Sequence, residues 1–374
     1  MRKLFVPDYF LKFRCKCGEC RNCCCVGWKV TISYLEYCHL LGFLCKKSMR
    51  SKIDAALCVL DKPTEESYAL IKRDYLGNCP LRDRTDGKCL LHKECGEMAL
   101  PAVCRLYPRN ILFDALKEGS CANSCEAVLE LLYADDNKVK MMTAEMFDSA
   151  YFYKSQEKIS KNEDNSEEEK AIFLQNKAVE ILEDRTKPLA KRFSILGNYL
   201  INNGYAPKLI SICENKTFAK INVFIDILEL CQEALNYSVN FDKYYKVFDN
   251  ITMPNDFENY TFLYKRYLIL KQEFENSFEN WQVKLEKTMI NHIFYERFPA
   301  DVVVFSGFSQ LCIVYALTKF CLIFYQPKSN NDFVDCVAGL NRCFEHSSLL
   351  QLLDAAIKRD NNENINFLSA LVNF

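Results

Sequence analysis

Glycine and proline are scarce in this chain, at 11 and 10 of 374 residues. Turn-rich all-β architectures depend on both, so the scarcity points away from sandwiches and barrels and towards long helices. Histidine is rarer still, with four, and the registers that pair cysteines with histidines round a zinc ion find no support. Only His92, three residues after Cys89, has ligand-like spacing, and a lone histidine is more often an ordinary surface or core residue. No Gly-x-Gly-x-x-Gly turn occurs anywhere, which argues against a Rossmann nucleotide site. Behind Met1-Arg2-Lys3 there is no uninterrupted apolar stretch, so no secretory signal is read, and a reducing, cytoplasmic setting is the expectation. The one long apolar run, residues 302–325, carries Ser306, Gln310 and Lys319. A lysine at a helix centre is expensive in lipid, so this run is expected as a buried core helix and no membrane partner is expected.

Cysteine is what the chain has in excess. Fifteen of its 21 cysteines fall in the first 125 residues, and six of them (Cys15, Cys17, Cys20, Cys23, Cys24 and Cys25) fall within eleven positions. Hydrophobic packing does not call for such density. Soft-metal ligation does, as tetrathiolate zinc or as an iron–sulfur cluster. An odd total and three adjacent cysteines also suit a disulfide framework poorly. The same 125 residues carry 21 Lys and Arg against 14 Asp and Glu, in a chain whose formal net charge is −1. Metal-bound thiolates need local cations, and this accounts for the excess better than a nucleic-acid partner does. In an extended segment neighbouring side chains point to opposite sides, so Cys24 and Cys25 are not expected to share one metal; the thiols could also divide between two sites.

The expected architecture is mainly α, with a Cys-rich metal-binding N-terminal module packed on a C-terminal α-helical bundle. The module occupies residues 1–135, a charged linker 136–170 and a helical domain 171–374. Ser166 with Glu169 has capping-box spacing. Pro188 stands at a first helical position ahead of Leu189, Phe193, Leu196 and Leu200, and Gly204 marks the stop. Asn255 with Glu258 repeats the capping-box spacing. The six later cysteines (Cys213, Cys231, Cys312, Cys321, Cys336 and Cys343) show no ligand spacing and are expected as buried thiols.

In order along the chain come Phe13-Arg-Cys15, Cys20, Cys24-Cys25-Val-Gly27-Trp28, Cys79-Pro80-Leu81 and Gly87-Lys-Cys89-Leu. Gly96-Glu97, Leu100-Pro101, Cys104, Tyr107-Pro108-Arg109 and Ser124-Cys125-Glu126-Ala127 follow. This succession resembles the flagellin lysine-N-methylases, within a wider group of cysteine-cluster proteins that chelate zinc or iron. A weaker likeness continues through Leu196-Gly-Asn-Tyr199-Leu200 and the Glu286 to Phe298-Pro299 region. The resemblance implies methyl transfer from S-adenosylmethionine to flagellin lysines by an enzyme with an iron–sulfur cluster, 4Fe-4S in the first instance and zinc as the alternative. Cys15, Cys20, Cys24, Cys25, Cys79, Cys89, Cys104 and Cys125 match its cysteine pattern, whereas Cys17, Cys23, Cys95 and Cys121 are additional. The Cys-x-x-x-Cys-x-x-Cys triplet of radical enzymes is missing, because Gly27 stands at the last position. Tyr107 and Glu97 are candidate catalytic groups, with Arg109 and Trp28 as candidate cofactor contacts. Tyr107-Pro-Arg109 could equally be a rigid turn that orients Cys104, with Arg109 balancing charge. A non-catalytic metal module or an electron-transfer protein remains the competing class, and the oligomeric state is not legible.

Overall fold

A computed structural model describes residues 2–21, 23–26, 30–111, 118–146, 165–205, 220–237, 257–299, 303–359 and 365–374. The chain divides into two compact units. One comprises Met1–Cys121, Cys125–Val128 and Met142–Ser160; the other comprises Ala122–Ser124, Leu129–Met141 and Lys161–Phe374.

The first unit is built from short elements. Its strands are β1 (Arg2–Pro7), β2 (Val30–Ile32), β3 (Leu57–Val59), β4 (Ala69–Ile71), β5 (Arg109–Ile111), β6 (Gly119–Cys121) and β7 (Met141–Met146). Its helices are α1 (Tyr34–Gly42), α2 (Lys47–Ala56), α3 (Leu90–Cys95) and α4 (Ala102–Leu106), and α5 (Glu126–Leu132) begins in it. Strand β4 lies between β2 and β3, antiparallel to both, with Thr31 opposite Leu70 and Cys58 opposite the same residue. Helix α1 opens on a capping box that the sequence reading did not find. The Ser33 hydroxyl accepts from the Glu36 N–H at 3.3 Å, and the Glu36 carboxylate accepts from the Ser33 N–H at 2.8 Å. The other Glu36 oxygen accepts from the Ala102 N–H at 2.7 Å, so the same acid ties α1 to the start of α4. Ile32, Leu40, Met49, Ile53, Ile71, Leu81 and Leu91 form a small core, and Cys79 and Cys89 pack partly buried against it. Cysteine loops are thus seated on an apolar floor.

Two elements fall within the segment 136–170 expected as a charged linker. β7 forms a two-stranded sheet with β1, and α6 (Asn165–Leu182) starts five residues before the segment ends. Backbone pairing with a strand at the other end of the unit's sequence leaves no local signal, and Met141–Met146 has no apolar–polar alternation to mark it as a strand.

The second unit is helical, as expected of a mainly α chain. It contains α6, α7 (Leu189–Asn202), α8 (Lys220–Tyr237), α9 (Phe257–Ser277), α10 (Trp281–Tyr295), α11 (Val304–Tyr325), α12 (Asn330–Glu345), α13 (Leu349–Arg359) and α14 (Ile365–Asn373). Pro188 proves to be the N-cap of α7, one position before the first helical residue, and Gly204 follows the Asn203 C-cap at φ +78°. Ser166 lies inside α6, and Asn255 and Cys213 lie outside the described residues. Helix α11 is long and apolar enough to span a bilayer by composition, but 89% of its apolar window is buried within the protein. It is the core helix, and Cys312 and Cys321 are buried on it, as Cys231 and Cys336 are on α8 and α12; Cys343 is half-buried.

One buried acid organises the neighbourhood of α10. Glu286, with no exposed surface, accepts from Arg185 Nε at 3.0 Å and Nη2 at 2.7 Å, and from Arg192 Nη1 at 2.5 Å. Arg192 also donates to the carbonyls of Lys187 and Leu182, so the turn between α6 and α7 is held from inside. Removing one partner strands the others as buried charge. Glu286→Leu should therefore destabilise the helical unit by about 3–5 kcal/mol, read as a lower midpoint in urea denaturation. A midpoint equal to wild type would refute this.

Lys319 is the second buried charge, on α11, with its ammonium 5.8 Å from the centre of the Trp281 ring. Burial and then the adjacent Lys271 push its pKa down to about 7, against the pull of Glu275. Between that value and the ordinary 10.5 the unfolded chain binds more protons than the folded one, so stability rises with pH across this window and is flat in this respect below it. Lys319→Met should raise the melting temperature at pH 7 and flatten the rise between pH 7 and 9. Melting curves by far-UV circular dichroism at the two pH values check it.

Candidate metal centre in the cysteine unit

Three thiols meet in the sequence Cys23-Cys24-Cys25. Their sulfur atoms all lie within 4.8 Å of one another, the only such group of three or more metal-ligating side chains among the described residues. This corrects the expectation that Cys24 and Cys25 would diverge. The segment is turned, not extended, and the Cys25 N–H donates to the Cys23 sulfur at 3.4 Å, which folds the backbone back on itself. Cys23, read as an additional residue, is one of the three. Hydrogen bonds from the Cys24 and Cys25 thiols pull its pKa far down, with help from Arg82, while the same contacts and burial push Cys25 far up.

The Cys25 carbonyl fastens the next loop. It accepts from the Cys79 N–H at 2.8 Å and from Arg73 Nη1 at 3.0 Å. An isolated antiparallel bridge pairs Val26 with Asn78, and a second pairs Arg82 with Cys89. The loop then meets the Cys17–Glu19 turn backbone to backbone. A Cβ on Gly18 would lie 1.8 Å from the Asp86 carbonyl oxygen, and Gly87 answers with φ +71°. Glycine at position 18 is required by this approach. Cys17 precedes it with φ 54°, in the left-handed region, and its N–H donates to the Cys15 sulfur at 3.3 Å.

All eight cysteines of the family pattern enter this neighbourhood, in two sets. The Cys104 thiol is pushed up by burial and then by Cys25, Cys79 and Cys89, with Arg73 opposing. Cys79 and Cys89 are likewise raised, chiefly by burial. The other set is Cys15, Cys20 and Cys125. Cys20 rises to about 12 through burial, then Glu126, Cys15 and Cys125, and Cys125 rises to about 11, mainly through burial. Cys24 is raised by its contact with Cys23 and feels Cys15 as well, so the turn at 23–25 faces both sets. Desolvated soft donors, with Arg73 and Arg82 among them, suit thiolate-binding zinc or an iron–sulfur cluster.

The remaining candidate residues are placed as follows. Arg109, on β5, donates from Nη2 to the Phe13 carbonyl at 3.1 Å and lies 4.8 Å and 5.4 Å from the ring centres of Phe13 and Phe10. Its charge acts on Cys121, which is fully buried and raised by that burial. Tyr107 is the half-buried C-cap of α4, and Glu97 opens the exposed 3₁₀ turn Glu97–Ala99. Trp28 lies outside the described residues, and His92 is exposed on α3. Cys95 adjoins Cys45, and both pack partly buried against the same small core as Cys79 and Cys89. Arg73, Arg82 and Glu126 were missed as individual residues; the only signal for the cations was the positive balance of the first 125 residues.

The fold and the thiol constellation together describe a mainly helical protein with a cluster of cysteine thiols that could hold a metal. The model of the FliB lysine N-methylase C-terminal domain matches residues 175–371, and the chain belongs to that family. The chain is similar to a lysine-N-methylase of Salmonella typhimurium strain LT2, at 26% identity over 45% of this chain and 44% of the relative. A lysine-N-methylase of Salmonella choleraesuis shows the same identity and coverage. A flagellar biosynthetic protein FliU of Salmonella muenchen is 30% identical over 28% of this chain and 60% of its own length. The chain thus spans less than half the length of the curated lysine N-methylases it matches. No solved structure matches it.

The Gly18 contact is open to test. Gly18→Ala must force the 17–19 turn off the 86–87 backbone, an overpacking worth about 1–3 kcal/mol. Thiols in the 15–25 loop should then react faster with a thiol-titrating reagent than in wild type, and metal content should fall. Unchanged reactivity and metal content would show that the approach does not constrain the site.

Proposed function

We propose that this protein is an S-adenosylmethionine-dependent lysine N-methyltransferase acting on flagellin, with a cysteine-bound iron–sulfur cluster, or zinc in its place, in the first unit. Membership of the FliB lysine N-methylase family carries the reading, and the printed names of its relatives, lysine-N-methylase and flagellar biosynthetic protein, agree with it. In the reaction the lysine Nζ lone pair attacks the sulfonium methyl carbon, the C–S bond electrons return to sulfur, and the nitrogen then releases a proton. The amine must be neutral at the start, against a reference pKa of about 10.4, and the methyl group must be held in line.

Tyr107 and Glu97 are the proposed proton acceptors, and Arg109 and Trp28 the proposed contacts for the methyl donor, Arg109 through its carboxylate. Cys15, Cys20, Cys24, Cys25, Cys79, Cys89, Cys104 and Cys125 are the proposed ligands, and Cys23 joins them because its sulfur lies within 4.8 Å of those of Cys24 and Cys25. A bound metal supplies the positive charge that lets these desolvated thiols ionise together. The methyl displacement itself is polar and draws on positioning by the protein.

The decisive experiment incubates anaerobically prepared protein with labelled S-adenosylmethionine and flagellin. Gains of about 14 Da per methyl group on lysine peptides are expected. Flagellin left unmodified by metal-replete protein overturns the enzymatic reading and leaves a structural metal module. Single Cys→Ser variants of the proposed ligands should each lose metal and activity together, by about 10-fold or more.

A further inference from the structure

We propose that Glu126 is the positioning residue of the Cys15–Cys25 loop, closing it over the thiols and so setting how firmly metal is held there. The inference rests on the metal reading above. Glu126 is 1% exposed and directly follows Cys125. Its Oε1 accepts from Lys16 Nζ at 3.2 Å and from the Arg21 backbone N–H at 3.1 Å, and the Arg21 guanidinium stands 3.9 Å away. These two anchor points bracket Cys17 and Cys20 and are flanked by Cys15 and Cys23. One buried oxygen thus grips the cysteine loop at both ends of its first half, 105 and 110 residues away in sequence.

Besides this grip, the loop is held where Gly18 approaches the backbone of Asp86 and Gly87. Among its described residues the only regular element is the three-residue turn Cys17–Glu19, which has no side-chain cap and no buried residue. An exposed loop of that kind does not fix the mutual position of its thiols. A buried side-chain oxygen that accepts from both Lys16 and the Arg21 N–H does, because leaving it without those donors out of water is costly. Groups that orient ligands without touching the metal commonly change its retention by about 10–100-fold.

The test uses the full chain prepared anaerobically, as wild type and as Glu126→Ala, Glu126→Gln and Lys16→Met. Release of zinc to a chromogenic chelator, or bleaching of the iron–sulfur absorbance by an iron chelator, is timed beside a circular-dichroism melt. Glu126→Ala should release metal about 10–100-fold faster than wild type. Glu126→Gln, which keeps an oxygen for the Arg21 N–H, should recover part of that loss, and Lys16→Met should fall between Glu126→Gln and wild type. The helical melt should not move. Wild-type protein that binds neither metal removes the metal reading itself. Metal-loaded variants that all release at the wild-type rate overturn the role of Glu126 and leave the metal reading standing. Should Glu126→Ala fail to fold, wild-type release by both Glu126→Gln and Lys16→Met overturns the role just as well.

Discussion

A carboxylate taken out of water must bring its cations and donors with it, and that constraint shapes both units. In the helical unit Glu286 draws Arg185 and Arg192 onto itself, and through their carbonyl contacts it determines the path of the chain between α6 and α7. In the cysteine unit Glu126 draws in Lys16 and the Arg21 backbone and so determines the path of the thiol loop. Neither acid has room to exchange these partners for solvent. Burial without pairing would be prohibitive, so each pairing acts as a geometric requirement and not as an optional gain.

The same logic applies to the thiols. A cysteine is an ordinary small hydrophobe until several are pressed together, and then each one opposes ionisation of the next. Cys20, Cys104 and Cys125 are raised chiefly by burial, with neighbouring thiols adding to it. Arg73 and Arg82 oppose that trend from inside the group. The donors are mostly half-buried, mutually repelling once ionised, and held on loops that glycine lets approach to backbone contact.

The helical half was largely legible from local signals. Leu189, Phe193, Leu196 and Leu200 recur at helical spacing and are all fully buried on α7, and the apolar run with Lys319 proved to be the core helix α11. Short elements of the cysteine unit were much less legible. The three-residue strands β2, β3 and β4 hold together only by pairing with one another, and β7 pairs with β1 from the far end of the unit's sequence. Such strands carry no period long enough to read.

At the site, the sequence by itself determined the donor chemistry. Cysteines at that density, without histidine partners and with a local excess of Lys and Arg, offer soft donors whatever the fold. It also determined membership in a pattern of eight positions spread over 110 residues. Tertiary structure alone decided which thiols meet. Cys23, an additional residue by sequence, joins Cys24 and Cys25 because a turn replaces the extended segment that alternation assumes. The choice of Arg73, Arg82 and Glu126 as charged neighbours was also settled in three dimensions. A residue's type records what it can bind, whereas the distances that turn side chains into a site arise only when loops remote in sequence are packed onto one another.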